Sequence, residues 1–172
     1  MTDRPARESL TFEEAGPEHW PEVWAIFSSV VASGDTYPYP PDITEEAAFG
    51  LWMKLDAERE ATFIARQDGV IVATAYVKAN GVGLGDHIAN AGWMVSPGHR
   101  GQGVGRAFAE HVIARAGELG YRGMQFNSVV ATNTAAVALW ESLGFEIVGT
   151  VPDAFRHTRD GLVPVHIMYR RF

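Results

Sequence analysis

Arg100-Gly101-Gln102-Gly103-Val104-Gly105-Arg106 sets three glycines at alternate positions between two arginines. The apolar run before it, Ile88 to Val95, reads as a strand. The pattern after it (Val104, Phe108, Val112, Ala116, Leu119) has helical spacing. Glycines between a strand and a helix let the backbone turn sharply and leave its N–H groups uncovered at the helix N-terminus. That end carries unpaired donors and a partial positive charge, so it attracts an anion. A pyrophosphate is the expected occupant.

The loop is not a Walker motif, because Gly103-Val104-Gly105 supplies neither the lysine nor the hydroxyl that ends one. It is not the dinucleotide fingerprint either. Counted from Gly101 or from Gly103, the final glycine position holds Arg106 or Phe108. Read as [Gln/Arg]-x-x-Gly-x-[Gly/Ala], Arg100 to Gly105 resembles the acetyl-CoA loop of the GCN5-related N-acetyltransferase (GNAT) superfamily. The resemblance implies acetyl-CoA as cosubstrate, with its pyrophosphate on the N–H groups of Gly101, Gln102, Gly103, Val104 and Gly105. The side chains of Arg100 and Arg106 are available for nearby phosphates, or are solvated surface charges. It also implies that the central strand splays from its neighbour before the loop. The exposed backbone at Trp93, Met94 and Val95 would then pair with the pantetheine arm, one N–H facing the thioester oxygen.

A second stretch, Thr132-Asn133 through Trp140 to Gly144-Phe145, is similar to the family's N-x-x-A-x-x-L-[Tyr]-x-x-x-G-F segment. It places Asn133 against the pantetheine, while Asn133 also suits the helix N-cap. The chain departs from the family at Trp140, where many relatives have a tyrosine able to protonate the thiolate; an indole N–H cannot do that. It departs again at Ser128, where relatives acting on protein N-termini carry a glutamate base. Asn90 and Asn127, within H-x-x-N-A-G-aromatic-x-V and F-N-x-V-x-x-T-N, resemble active-site asparagines of the enzymes that acetylate proline analogues such as azetidine-2-carboxylate. Either amide could instead bridge the splayed strands. Strand alternation puts Asn90 and Met94 opposite His87 and Trp93.

An ammonium acceptor must lose a proton before it attacks. No carboxylate falls within the central strand, leaving Asp86, His87 and His157 as candidate bases, and histidine suits neutral pH. Tyr37 and Tyr39, in the Pro-rich stretch Asp35 to Asp42, could hold their rings over a small ligand or close the core. The expected reaction is direct attack in a ternary complex, since no cysteine exists to form an acyl-enzyme. The acceptor is read as a small-molecule amine or amino-acid-like compound. A peptide or protein amine is the alternative, and a non-catalytic acyl-CoA sensor is another.

The elements that must position these residues follow from the patterning. Leu10 and Phe12 alternate as a first strand; Glu18 to Ala32 is helical, with Pro21 in its first turn. Thr44 with Glu45 and Glu46 caps a second helix burying Ala48, Leu51, Trp52 and Leu55. Strands Ala61–Arg66 and Val70–Lys78 flank the hairpin signal Gln67-Asp68-Gly69. His87 to Val95 is the central strand, followed by the glycine loop, its helix, and a strand from Met124 to Val130. Asn133 opens a short helix that Gly144-Phe145 stops. Strands Phe145–Val151 and Val163–Arg170 end the chain, separated by a polar segment with Phe155, Arg156 and His157. The order β-α-α-β-β-β-α-β-α-β-β gives an α/β (α+β mixed) fold, a mixed sheet of about seven strands flanked by about four helices. It matches GNAT topology over residues 10–170.

The 172 residues are read as one domain, 47% hydrophobic and 20% charged, a globular balance. A net charge of −7 argues against nucleic acid, which needs a basic face. Zero cysteines exclude disulfides and Cys-ligated metals, and no metal is expected. The N-terminus, charged through Glu8, does not read as a signal peptide, and no apolar run reaches the ~18 residues of a membrane span. A cytoplasmic protein without membrane partners is expected; the pattern is compatible with a homodimer without requiring one.

Overall fold

Residues 10–54 and 58–172 are described by the structure, a computed structural model. The elements are β1 (Leu10–Glu14), α1 (Trp20–Ala32), α2 (Glu45–Trp52), β2 (Ala61–Gln67), β3 (Val70–Ala79) and β4 (Ile88–Val95). They continue with α3 (Val104–Glu118), β5 (Gly123–Val130), α4 (Thr134–Ser142), β6 (Glu146–His157) and β7 (Gly161–Arg171). This is the mixed α/β fold and element order that the patterning predicts. The seven strands form one sheet ordered β1-β2-β3-β4-β5-β7-β6, in which only β4 and β5 run parallel.

Two apolar layers sandwich the sheet. On one face α1 and α2 bury Val23, Phe27, Val31 and Trp52 against Ile64, Tyr76 and Met94. On the other, α3 and α4 bury Phe108, Val112 and Trp140 against Phe63, Ala91 and Phe126. Alternation along β4 therefore works as expected: Ala89, Ala91, Trp93 and Val95 pack toward α3, and Met94 toward α1. Gly92 is required on that second face, because a Cβ there would lie 2.8 Å from the Tyr76 ring and 3.3 Å from Trp52.

The local signals act as their chemistry dictates. Asp68 (φ 51°) and Gly69 (φ 82°) form the two-residue turn joining β2 and β3. Thr44 Oγ1 accepts the Ala47 N–H at 3.3 Å, capping α2. Gly144 (φ 85°) ends α4, with Phe145 N–H donating to the Trp140 carbonyl at 3.0 Å.

Four expectations need correction. The first helix starts at Trp20 rather than Glu18, because Pro17–His19 forms a tighter 3-10 turn. Leu51 is 43% exposed and packs no core; the helix ends one residue later, and Leu55 lies outside the described residues. His87 sits in the turn before β4 and is not part of the strand. The segment with Phe155, Arg156 and His157 belongs to β6, which runs on through two register shifts to pair with β7. Its polar residues misled the pattern because β6 is an edge strand with little to bury.

Candidate active site

The site begins where β4 and β5 separate. Their ladder has only two pairs, Ile88 with Gly123 and Ala89 with Met124. Beyond it the strands part, and a cleft of about 660 Å³ opens from the glycine loop to the stretch after α1. That volume suits a small ligand. Because the cleft cuts through the sheet, residues from both faces of β4 line it, Asn90 to Val95 inclusive.

Asn90 pins the point of divergence. Its Nδ2 donates to the Gln125 carbonyl at 3.0 Å, supplying across the gap a bond that the ladder no longer makes, and its Oδ1 accepts from the Tyr76 hydroxyl at 3.2 Å. On β5, the register slips between Phe126 and Val129, so Asn127 and Ser128 together oppose one residue of β7. This bulge turns both toward the cleft, as bulges beside active sites do. Asn127 is exposed there; its Nδ2 donates to Asn80 Oδ1 at 2.7 Å and its Oδ1 accepts from Gln125 Nε2 at 2.9 Å.

At the loop end, Gly101 (φ 75°) and Gly103 (φ 84°) adopt left-handed backbone that other residues resist. The first helical bond of α3 joins Ala107 N–H to the Gly103 carbonyl at 3.2 Å, and no side chain caps the helix. The N–H groups of Val104, Gly105 and Arg106 are thus left without helical partners, and Gly105 lines the cleft. Arg100 lines the cleft with no side-chain partner among the described residues. Arg106 does not: its guanidinium bonds Ser142 Oγ at 2.8 Å and Glu110 at 3.2 Å. Gln102 donates to the Gly98 carbonyl at 3.0 Å, and Val104, the first residue of α3, is buried in the core. Of the loop only Arg100 and Gly105 line the cleft itself, while Gly101, Gln102, Gly103, Val104 and Arg106 stand outside its lining.

The floor is aromatic. Trp140 packs 4.8 Å from Trp93 and 4.7 Å from Phe126, which stacks on Phe145 at 4.3 Å. Trp140 lines the cleft. Asn133 Oδ1 accepts the Ala136 N–H at 3.2 Å as helix cap, which leaves its Nδ2 free toward the cleft it lines.

The opposite end is built by residues 35–39 and the turn after β6. Tyr37 donates to the Trp93 carbonyl at 2.7 Å and stacks on Tyr39, which stacks in turn on Phe27. Burial pushes the Tyr37, Tyr39 and Tyr76 phenols up from their usual range, so they stay protonated at neutral pH. None can act as a base. Thr158 N–H donates to the Gly34 carbonyl at 3.3 Å, and its Oγ1 to the Ser33 carbonyl at 3.2 Å. These bonds tie the β6–β7 turn to the end of α1 and join the two walls.

The candidate bases fare unequally. His87 is exposed and absent from the lining, and Asp86, 3.8 Å from Arg59, is absent too. Their position before β4 removes both. His157 lines the cleft, but its Nδ1 accepts the backbone N–H groups of Arg159 and Asp160, each at 3.2 Å. Sequence reasoning missed Asp35, the one carboxylate among the lining residues, and Arg159. Asp35 opens the Pro-rich stretch that the sequence marks by its tyrosines, and only the fold brings it to the cleft. Among the described residues no group of three or more His, Asp or Glu could hold a metal, and no helix is long and apolar enough to cross a membrane.

The sheet parts beside a glycine-rich helix start, and strand backbone lines the gap between β4 and β5. Residues 20–145 match the acetyltransferase (GNAT) family, and the chain belongs to that family of acetyl-CoA-dependent transferases. A GCN5-related N-acetyltransferase from Kribbella flavida superposes with a TM-score of 0.91 at 43% identity, over 95% of this chain and 98% of that one. The N-acetyltransferase aca1 of Schizosaccharomyces pombe is 37% identical over 103 residues, 59% of this chain; the match spans about half (49%) of that relative's length. The ribosomal protein bS18-alanine N-acetyltransferase of Escherichia coli is 35% identical over 113 residues, 64% of this chain and 71% of the relative.

Proposed function

We propose that this chain is an N-acetyltransferase that moves the acetyl group of acetyl-CoA to the amine of a small, amino-acid-like molecule. The observation that carries the small acceptor is the bonding of Thr158 to Ser33 and Gly34, which joins the β6–β7 turn to the end of α1 beside the cleft and narrows the room for a longer chain at that end. Ser128, in place of a glutamate, fits the same reading.

In this mechanism the N–H groups at the start of α3 and the Arg100 guanidinium hold the pyrophosphate region, and Asn133 Nδ2 holds the pantetheine. The backbone of Trp93, Met94 and Val95 aligns the thioester, with one N–H at the developing oxyanion. Such a donor is worth about 3–4 kcal/mol. Asn127, aimed by the bulge, orients the tetrahedral centre. Asp35 takes the proton of the acceptor ammonium. The nitrogen then forms the C–N bond as the C–S bond breaks, and its second proton neutralises the departing thiolate. Tyr37, Tyr39 and Tyr76 shield the acceptor as neutral phenols.

Thiol release from acetyl-CoA, measured across amino acids, proline analogues, amino-acid herbicide mimics, polyamines and peptides, tests the reading. Turnover with small amines and none with peptides is expected. Turnover with an alanine-terminated peptide alone transfers the protein to the class of its ribosomal-protein-modifying relative. Tight acetyl-CoA binding with no acceptor would make it a sensor.

A further inference from the structure

We propose that the acceptor carries a carboxylate, bound by Arg159 with the imidazole of His157 and the hydroxyl of Thr36. This rests on the acyl-transfer reading of the cleft and deepens it. Arg159 lines the cleft, yet its guanidinium has no ion pair or hydrogen bond among the described residues. Arg159 is exposed, so its guanidinium is solvated and open to a ligand at the cleft, whereas Arg59, Arg66 and Arg106 are engaged by carboxylates.

His157 stands two residues before it and is only 6% exposed. Two backbone donors point at its Nδ1, so in the neutral ring the proton sits on Nε2. The half-exposed Asp160 carboxylate, 3.2 Å from Nδ1, faces the same side of the ring and leaves Nε2 untouched. Nε2–H has no partner, and the ring lines the cleft. In the lining of the same cleft, Thr36 Oγ1 is buried without a hydrogen bond.

The cleft lining thus holds a buried hydroxyl without a hydrogen bond, Thr36 Oγ1, together with an imidazole Nε2–H and an exposed guanidinium that no group among the described residues engages. All three can donate, so their complement is an acceptor-rich group. A guanidinium fork matches the two oxygens of a carboxylate. Asp35, next to Thr36, supplies the opposite charge for an ammonium. An α-amino or imino acid presents both groups at once; the N-terminal residue of a peptide has spent its carboxylate in the chain.

The test compares acceptors that differ only in that group: azetidine-2-carboxylate against azetidine, and alanine against alanine amide. Wild-type protein is expected to prefer each acid at least tenfold in kcat/KM, through KM. Arg159→Gln should cut kcat/KM for the acids by about 10–100-fold, the range for a charged hydrogen bond, and leave the neutral partners within about twofold. Unchanged acetyl-CoA affinity and Tm verify that the variant folds, and Arg159→Lys should recover part of the preference. Equal use of acid and neutral acceptor by the wild type, or an equal loss on both in Arg159→Gln, overturns the assignment. If no amine is acetylated, the acyl-transfer reading fails on its own. The carboxylate site is then judged by calorimetry of N-acetylalanine and its amide on the protein–CoA complex. Arg159-dependent binding of the acid alone supports it; no binding, or equal binding of both, overturns it.

Discussion

Asn90 Nδ2 and the Gln125 carbonyl, 3.0 Å apart, form the bond that follows the last β4–β5 ladder pair at Ala89 and Met124. With the Tyr76 hydroxyl on its other end, the amide is buried and fully engaged. Asn90→Ala leaves two buried partners unsatisfied, at a cost of about 2 kcal/mol, or a Tm fall of about 4–8 °C for a chain of this size. Asn127 behaves in the opposite way. It is exposed on the bulge, so Asn127→Ala should keep its stability within about 0.5 kcal/mol. It should keep acetyl-CoA affinity as well, yet lose about 10²-fold in kcat, the usual cost of removing a donor to the reacting centre. Thermal melts beside steady-state kinetics separate the two. Wild-type kcat/KM in Asn127→Ala would make that amide structural.

Gly103 tests the cradle. At φ 84° an alanine costs about 1–2 kcal/mol of backbone strain, and no neighbouring atom lies within 4 Å of its Cβ position. Gly103→Ala should therefore weaken acetyl-CoA binding modestly. Gly103→Glu adds a negative charge near the pyrophosphate, a repulsion of about 4 kcal/mol at 4 Å with an effective dielectric of 20. Binding should fall more than a hundredfold by calorimetry. Equal affinities for the two variants would place the phosphates elsewhere.

The buried tyrosines make alkaline stability a readout of the acceptor wall. Tyr37 and Tyr76 titrate above their ordinary value near 10, chiefly through desolvation. Between that value and the raised one, the unfolded chain has lost protons that the folded chain still holds. Their contribution is present in full below pH 10 and is lost as pH rises through the folded value, by about 1.4 kcal/mol per pH unit for each group. Denaturant melts from pH 9 to 11.5 should show this decline, and Tyr37→Phe should flatten it. The same variant gives up the bond to the Trp93 carbonyl, about 1 kcal/mol. An unchanged slope would mean that Tyr37 ionises freely.

The donor half of the site was legible in the sequence because its signals are local. Glycine spacing fixes the loop, Asn133 caps its own helix, and apolar alternation places β4. The acceptor half was not, because it is assembled from distant segments. Asp35 and Arg159 are 124 positions apart in the chain and line one cleft where Thr158 bonds Ser33 and Gly34. The bulge at Asn127 and Ser128 is a mismatch of two strands and leaves no mark on either alone. Histidine chemistry pointed to His87 by residue type, whereas its place in an exposed turn removes it.

Gly34 stands at the contact between the end of α1 and the β6–β7 turn. Its φ of 65° is left-handed, and a Cβ there would stand 2.3 Å from Thr158 Cγ2. Gly34→Ala therefore combines backbone strain with a collision at the contact that joins α1 to the β6–β7 turn. A loss of about 1–3 kcal/mol is expected, and relief by separation of the turn from α1 widens the acceptor end. Thr158→Ala gives up only the Oγ1 bond to Ser33, about 1 kcal/mol, and retains the backbone bond to Gly34. If closure selects small acceptors, Gly34→Ala should raise the ratio of kcat/KM for an alanine-terminated tripeptide to that for alanine by about tenfold or more. Thr158→Ala should raise it less, and acetyl-CoA affinity should stay constant in both. A ratio unmoved by Gly34→Ala, in a protein shown by melting to be destabilised, would remove closure as the source of acceptor selection and leave the charge pattern of Asp35 and Arg159 to account for it.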